Sequence, residues 1–230
     1  MLFLKTGIGK LDELLDGGLS ERTNFLVVGA PSSKKDLFLS QFLSSGAKLG
    51  DPCAYVTTDN SPADLERRAL SIGMDVSRTK FVDCYSWALQ QKRLEGREAD
   101  IIVPGPSSLN ELSIAISRAL SEIAKPGANM RGAFHSLSTL VLYNNPEIVF
   151  RFIQVMGARL KSTGATTMFS IEAGMHDERV ITTLEHLTDA TIEFKSEGGR
   201  DYFRIPRTPS GKAISDWIEF AVTPMGIEIK

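Results

Sequence analysis

The sequence predicts an α/β fold: a parallel sheet with helices on both faces and a C-terminal extension of antiparallel strands. One observation is that short apolar runs alternate with amphipathic runs of helical spacing between residues 24 and 171. A second is that short strands separated by turns follow Ala190. Parallel strands need helical crossovers, and these crossovers cover both faces of the sheet.

Nine short apolar runs are predicted to be strands. Five of them supply the parallel part of the sheet: residues 24–29, 53–58, 79–83, 132–137 and 166–171. Four form the antiparallel extension: residues 190–195, 201–205, 217–222 and 226–229. Ligands of such folds bind beyond the carboxyl ends of the parallel strands, so we expect a site after Val28, Thr58, Phe134 and Ser170.

The helices are predicted from their spacing and their first residues. Residues 35–49 have helical spacing, and a helix covers about residues 146–162. Ser61 is suited to cap the helix that Pro62 begins. Ser108 and Glu111 form a capping box before another amphipathic run. Residues 93–106 have the least regular pattern and are predicted to be a loop.

Length, charge and cysteine content limit the class of protein. The 230 residues fit one domain over residues 1–230, and a net charge of −2 argues against direct nucleic-acid binding. Cys53 and Cys84 are too few for a disulfide framework, and we expect them to be buried in a reduced, cytoplasmic protein. No apolar run has the length of about 20 residues that a membrane helix requires.

The loop after the first predicted strand has part of a phosphate-binding motif. The pattern that surrounds phosphates is G-x-x-x-x-G-K-[ST], and residues 29–36 of this chain are GAPSSKKD. Gly29 and Lys35 match the pattern. Lys34 stands where the second glycine is expected, and Asp36 stands where the hydroxyl residue is expected.

Further segments resemble the RecA-like ATPases of the KaiC and GvpD group. They are TGIGKLDELLDGGL at residues 6–19, YVTTDNSP at 55–62, FVDCYSW at 81–87, SLSTL at 136–140, GMHD at 174–177 and TLEHLTD at 183–189. The resemblance runs in order from Thr6 towards the C-terminus. It implies a RecA-like sheet, side-by-side packing of subunits and an ATP site.

The resemblance implies four parts of that ATP site, and the chain departs from each. The phosphate loop corresponds to Gly29, Ser32, Ser33, Lys34, Lys35 and Asp36, with Lys34 in place of a glycine that a crowded loop favours. Asp36 replaces the hydroxyl ligand of magnesium, and His135 replaces the acid that ends a strand and holds magnesium through water. Asp59 and Asn60 replace a pair of glutamates, one of which orients the attacking water. We therefore expect no catalytic residue and no metal site.

These replacements predict a RecA-fold pseudo-ATPase, a non-hydrolysing regulatory or scaffolding subunit acting through protein–protein contacts. The partner is expected to be a second copy or an active ATPase paralogue, with no membrane association. We expect no cofactor, although weak binding of ATP or Mg²⁺ stays open. One alternative is an ATP-binding, slowly hydrolysing switch of the KaiC or recombinase kind, in DNA repair for example. A third is a receptor for a small ligand or peptide in the emptied cleft.

Several side chains of the loop region have two interpretations. Lys35 is either a remaining phosphate contact or a helix-start lysine paired with Asp36. His135 is either a ligand or, as we favour, a buried histidine with satisfied hydrogen bonds. Asp36 is predicted to engage Lys35, His135 or the free N–H groups of its helix, which would close the site with the chain's own side chains.

Overall fold

The computed structural model describes residues 2–87 and 100–230 and shows how the strands are placed. The first six strands are β1 (Phe3–Leu4), β2 (Leu19–Ser20), β3 (Asn24–Gly29), β4 (Cys53–Thr57), β5 (Lys80–Asp83) and β6 (Ile101–Ile102). The other six are β7 (Met130–His135), β8 (Ala165–Glu172), β9 (Ala190–Glu197), β10 (Arg200–Arg207), β11 (Ile214–Thr223) and β12 (Gly226–Ile229).

Helices connect most of these strands. They are α1 (Gly9–Leu14), α2 (Lys35–Leu49), α3 (Pro62–Leu70), α4 (Leu109–Ile123), α5 (Leu137–Tyr143), α6 (Pro146–Ser162) and α7 (Glu178–Leu187). The described strands form a two-stranded sheet of β1 and β2 and a ten-stranded sheet in the order β12-β11-β10-β9-β3-β8-β7-β4-β5-β6. From β9 to β6 in this order, each strand runs parallel to its neighbour. From β9 to β12, in the other direction, each strand runs antiparallel to its neighbour. The predicted fold class is confirmed.

Two buried apolar clusters hold the helices against the sheet. On one face, side chains of α1, α2 and α3 pack on the sheet, where the ring of Phe38 of α2 packs at a tilt against those of Phe194 and Phe203, with ring centroids 5.3 and 6.5 Å away. On the other face, α4, α5, α6 and α7 bury a second cluster that includes Phe134 and Phe169. The sheet is covered on both faces, as predicted.

The local predictions were confirmed in most places and wrong in a few. Helices α2 and α6 have the predicted bounds, and Ser61 accepts a hydrogen bond from the backbone N–H of Asp64 at 3.2 Å. The capping box at Ser108 is wrong, because its side chain makes no cap hydrogen bond although α4 begins at the next residue. The predicted strand at 132–137 ends at His135, and helix α5 follows it.

The predicted loop at 93–106 lies partly outside the described residues, since residues 93–99 are not among them. Within its described part, Ile101 and Ile102 form strand β6 at the edge of the sheet, so the loop prediction is wrong there. Across residues 2–87 and 100–230, none of the helices has the length and apolar character needed to cross a membrane.

Candidate functional site

The carboxyl ends of four neighbouring parallel strands meet at one edge of the sheet. Strands β3, β8, β7 and β4 are consecutive in the sheet, and the pairing of β3 with β8 places Gly29 opposite Glu172. The pairing of β4 with β7 places Thr57 opposite His135, so Asp59 follows close by. The structure therefore brings the predicted strand-end positions together at one edge, as expected for this class of fold.

The loop between β3 and α2 is a tight turn that requires glycine at its start. Both the backbone N–H and the hydroxyl of Ser33 donate hydrogen bonds to the carbonyl of Ala30, at 3.0 and 2.7 Å. A Cβ atom at Gly29 would lie 2.4 Å from Oγ of Ser33 and 2.9 Å from Cβ of Phe194. Any side chain at Gly29 would push the loop away from β9.

Lys34 adopts a backbone conformation that favours glycine. Its φ is +64° and its ψ is 11°, which is the left-handed region, and it precedes the first residue of α2. Crowding between Cβ and the following carbonyl makes this conformation unfavourable by about 1–2 kcal/mol for a residue with a side chain. The loop therefore has the backbone geometry of a glycine position, and the Cβ atom of Lys34 strains it.

Lys35 is buried and paired with a carboxylate from another strand. Its side chain is 2% exposed, and its Nζ lies 2.6 Å from Oε2 of Glu172 at the end of β8. The same ammonium donates to the carbonyl of Ala30 at 3.3 Å. Glu172 is anchored by its backbone N–H, which donates to Oγ of Ser138 at 2.8 Å. The expected pairing of Lys35 with Asp36 is therefore wrong.

Asp36 forms an ion pair with Arg68 of helix α3. We expected Lys35, His135 or the helix N–H groups as its partners, and the structure gives it a different one. Adjacent residues of a helix do not face each other, so Asp36 points away from the direction that Lys35 takes. The ion pair borders a groove of about 250 Å³ that Lys34 and Ser71 also line.

Tyr55 lies buried close to this ion pair. Burial raises the pKa of the Tyr55 hydroxyl well above its usual value, and the carboxylates of Asp36 and Asp59 raise it further. Its hydroxyl has no hydrogen-bond partner among the described residues. The phenol is therefore neutral, and the charge next to Asp36 comes from the Arg68 guanidinium.

His135 is buried, and both of its ring nitrogens face oxygen atoms of the chain. The ring is 6% exposed, with Nδ1 2.7 Å from Oγ of Ser170 and Nε2 3.4 Å from Oδ2 of Asp59. The other oxygen of Asp59 accepts a hydrogen bond from the Asn60 amide at 2.9 Å. This arrangement agrees with the interpretation of His135 as a buried histidine with satisfied hydrogen bonds.

Four contact partners at this edge were not identified from the sequence, namely Glu172, Arg68, Ser170 and Ser138. Each lies on an element distant in the chain from the residue that it contacts. The one signal in the sequence concerned Ser170. It lies near the end of a predicted strand, and this strand was predicted to run parallel to the strand at whose end His135 lies. Among residues 2–87 and 100–230, no cluster of three or more His, Cys, Asp or Glu side chains is arranged to hold a metal ion.

Comparison with known proteins places this chain among relatives of KaiC. It is 28% identical over 172 residues to a UPF0273 protein of Pyrococcus horikoshii, a match covering 72% of this chain and 66% of the relative. It is 26% identical over 172 residues to a UPF0273 protein of Thermotoga maritima, covering 72% and 68% of the two chains. The circadian clock oscillator protein KaiC of Acaryochloris marina is 30% identical over 174 residues, which cover 73% of this chain and 31% of KaiC. This chain thus spans about two thirds of the length of these UPF0273 proteins.

The fold has a close counterpart among solved structures. The crystal structure of a KaiC-like protein of Pyrococcus horikoshii OT3 superposes with a TM-score of 0.79 at 21% identity, covering 100% of this chain and 99% of the other. The family described as a family of unknown function (DUF7504) matches residues 22–194. From the extent of that match and the shared architecture, the chain belongs to the DUF7504 family and has the RecA-like fold of KaiC proteins.

Proposed function

We propose that the protein is a RecA-fold pseudo-ATPase that serves as a non-hydrolysing regulatory or scaffolding subunit. The observation that carries this proposal is the buried ion pair between Lys35 and Glu172, with 2.6 Å between Nζ and Oε2. The lysine of a phosphate loop acts through its positive charge, and here a carboxylate of the same chain neutralises that charge. A phosphate group has to compete with Glu172 for the ammonium.

This competition is unfavourable for an anion. A phosphate oxygen that reaches Lys35 also approaches the carboxylate of Glu172, which is held in place through its backbone and is 8% exposed. Two like charges about 4 Å apart repel by roughly 4 kcal/mol at an effective dielectric of 20. That repulsion opposes nucleotide binding unless Glu172 moves away.

The residues at the two magnesium positions do not fit the metal. Magnesium prefers oxygen ligands and near-octahedral geometry. The Asp36 carboxylate is paired with Arg68, and His135 presents ring nitrogens directed at Ser170 and Asp59. A cation at this place would have to separate the Asp36 ion pair and displace the Arg68 guanidinium.

The position of the water-orienting acid also lacks the required chemistry. Asp59 has one carboxylate oxygen near His135 and the other bonded to the amide of Asn60, which is neutral. Phosphoryl transfer depends on positioning and on stabilisation of developing negative charge, and these groups serve other contacts. The expected result is a domain that keeps the fold of an ATPase and acts through its surface. Its partner is then a second copy or an active ATPase paralogue.

One observation favours a second candidate, an ATP-binding switch that hydrolyses slowly or not at all. Gly29 and Lys35 are both present, and the loop between them runs from a strand directly into the first turn of a long helix. Free N–H groups at such a helix start attract anions. If Glu172 swings away from Lys35, these groups become available to a phosphate.

Titration calorimetry with ATP, with and without Mg²⁺, separates the two candidates. The pseudo-ATPase predicts no binding heat at micromolar to millimolar ATP and a phosphate-release rate equal to the buffer blank. Lys35→Ala is compared with Lys48→Ala, a matched change at an exposed lysine of the same helix. Magnesium-dependent turnover that Lys35→Ala abolishes and Lys48→Ala preserves would refute the proposal. Micromolar binding without turnover would support the switch.

A further inference from the structure

The start of helix α2 presents donors that are suited to an anion. No side chain caps the helix, and among residues 2–87 and 100–230 no acceptor contacts the backbone N–H groups of Lys35 and Asp36. Free N–H groups at a helix start and the positive end of the helix dipole attract negative charge. The Lys35 ammonium, which is 2% exposed, adds a full positive charge beside the loop carbonyl of Ala30.

The chain itself provides an anion at these donors, the carboxylate of Glu172. Its Oε2 lies 2.6 Å from Nζ of Lys35. The backbone around this residue is fixed, because the N–H of Glu172 donates to Oγ of Ser138 at 2.8 Å. The N–H of the next residue, Ala173, donates to the carbonyl of Gly29 at 3.0 Å. The sheet therefore holds the carboxylate against the loop.

The carboxylate of Glu172 is buried but reaches the surface at one edge, since its side chain is 11% exposed. A solute therefore has access to the position that this carboxylate takes. Carboxylate and phosphate oxygens both accept charge-assisted hydrogen bonds from lysine and from backbone N–H groups. Glu172 thus makes the contact with Lys35 that a dissolved oxyanion would make.

The charges around the loop cancel in pairs. Asp36 is paired with Arg68, and Lys35 is paired with Glu172, so each pair is neutral in sum. Lys34 is exposed and belongs to neither pair, and the five side chains together carry a charge of +1. Removing the Glu172 carboxylate raises this charge to +2 and leaves the Lys35 ammonium without its partner.

We infer that Glu172 is the resident ligand of an oxyanion site formed by Lys35 and the start of α2. Once this carboxylate is removed, the site takes a small oxyanion from solution, with inorganic phosphate as the simplest case. The contact is autoinhibitory, because one ammonium does not pair at full strength with Glu172 and with a solute anion. The loop needs no added ligand for its shape, since Lys34 is left-handed and Ser33 is bonded to Ala30 in the occupied state.

This inference rests on the proposed function and deepens it, since it gives a physical reason for the loop of a pseudo-ATPase to exclude nucleotide. Different results refute the two. ATP hydrolysis by the wild-type protein refutes the pseudo-ATPase. A folded Glu172→Ala variant that binds no phosphate refutes the resident ligand and leaves the lack of hydrolysis in place, because another feature then keeps anions out.

Titration calorimetry with inorganic phosphate, without Mg²⁺ and at an ionic strength held constant with potassium chloride, measures the released site. The wild-type protein is expected to show no binding heat at millimolar phosphate. Glu172→Ala is expected to bind phosphate about tenfold more tightly or better, because charge-assisted hydrogen bonding to Lys35 becomes available. Glu197→Ala is the matched control, since it removes the acid of an exposed pair with Lys195, and it should behave as the wild type.

Two further variants show which side chains form the site. Lys35→Met added to Glu172→Ala keeps the space and removes the ammonium, so phosphate binding should be lost. Arg68→Gln added to Glu172→Ala leaves the Asp36 carboxylate uncompensated and should weaken phosphate binding by roughly threefold. Arg67→Gln in the same background is the matched control, because Arg67 lies on the same helix and is 75% exposed, and it should leave binding unchanged.

Thermal melts keep the inference testable if Glu172→Ala is marginally stable. An anion that binds only the folded protein shifts the unfolding equilibrium by roughly 100-fold at about 100 times its dissociation constant. Phosphate should therefore raise the melting temperature of Glu172→Ala more than that of the wild type. Glu172→Gln, which keeps the length of the side chain and removes its charge, should gain binding as well. The inference is overturned if neither variant gains phosphate binding, if the wild type binds phosphate as tightly as Glu172→Ala, or if binding survives Lys35→Met.

Discussion

Removing Glu172 tests whether the buried ion pair that closes the phosphate loop exists in solution. With 2.6 Å between the charged atoms, the attraction amounts to about 6 kcal/mol at an effective dielectric of 20. The loss of hydration when both ions are buried offsets most of this attraction. The relevant quantity is therefore the penalty of leaving the Lys35 ammonium, which is 2% exposed, without its partner.

Glu172→Leu keeps a side chain of similar volume and leaves that ammonium uncompensated. We expect a loss of about 3–5 kcal/mol in the free energy of unfolding, the usual cost of breaking a buried pair from one side. For a domain of this size that loss corresponds to a decrease of roughly 6–20 °C in melting temperature. Lys35→Met should be similarly destabilising, whereas the double variant should lose much less than the sum of the two.

Urea unfolding followed by circular dichroism measures all three variants. The control is Glu197→Leu, which removes the acid of the exposed pair with Lys195 and should produce no measurable change. A decrease in the free energy of unfolding for Glu172→Leu no larger than that of this control would refute the buried ion pair. Two single losses that add up in the double variant would also refute the pair, since additive losses mean that the two side chains do not interact.

Three further predictions concern the loop and the cysteines. Lys34→Gly should raise the free energy of unfolding by about 1 kcal/mol because glycine adopts the left-handed conformation without crowding; thermal melts that show a loss would contradict this. Lys34→Gly combined with Asp36→Thr should give no ATPase activity unless His135→Asp is added, because the parts of such a site act together; turnover in the double variant would contradict this. Burial raises the pKa of Cys53 and of Cys84 from 9.0 to about 12, so both thiols stay protonated at pH 8 and should react with a thiol reagent only in the unfolded protein.

The same pKa shifts define a pH dependence of stability. An unfolded thiol loses its proton above about pH 9, whereas the folded thiols keep theirs until about pH 12. Their contribution is therefore fully present below pH 9 and decreases as the pH rises from 9 to 12. Replacing Cys53 and Cys84 by alanine should remove this part of the decrease in the free energy of unfolding at alkaline pH. Urea titrations at pH 8 and pH 10.5 would detect the difference.

The fold was predictable from the sequence because its signals are local. Strand and helix periodicities repeat within a few residues, so the bounds of α2 and α6 agree with the structure. The Ser61 cap depends only on a hydroxyl and an N–H three residues away, and it was confirmed. At Ser108 the same local pattern was present without the hydrogen bond, since the backbone there is not in the extended conformation of a capping residue.

The sequence alone also indicated where the site lies, because parallel strands end at a common edge whatever their partners are. Only the tertiary structure decided which side chains meet there. Lys35 pairs with Glu172 across 137 positions, Asp36 with Arg68 across 32, and His135 with Ser170 across 35. Sequence neighbours such as Lys35 and Asp36 point in different directions on a helix, whereas the order of strands in the sheet brings distant residues within hydrogen-bond distance. Those partners depend on the path of the whole chain, and no local pattern encodes it.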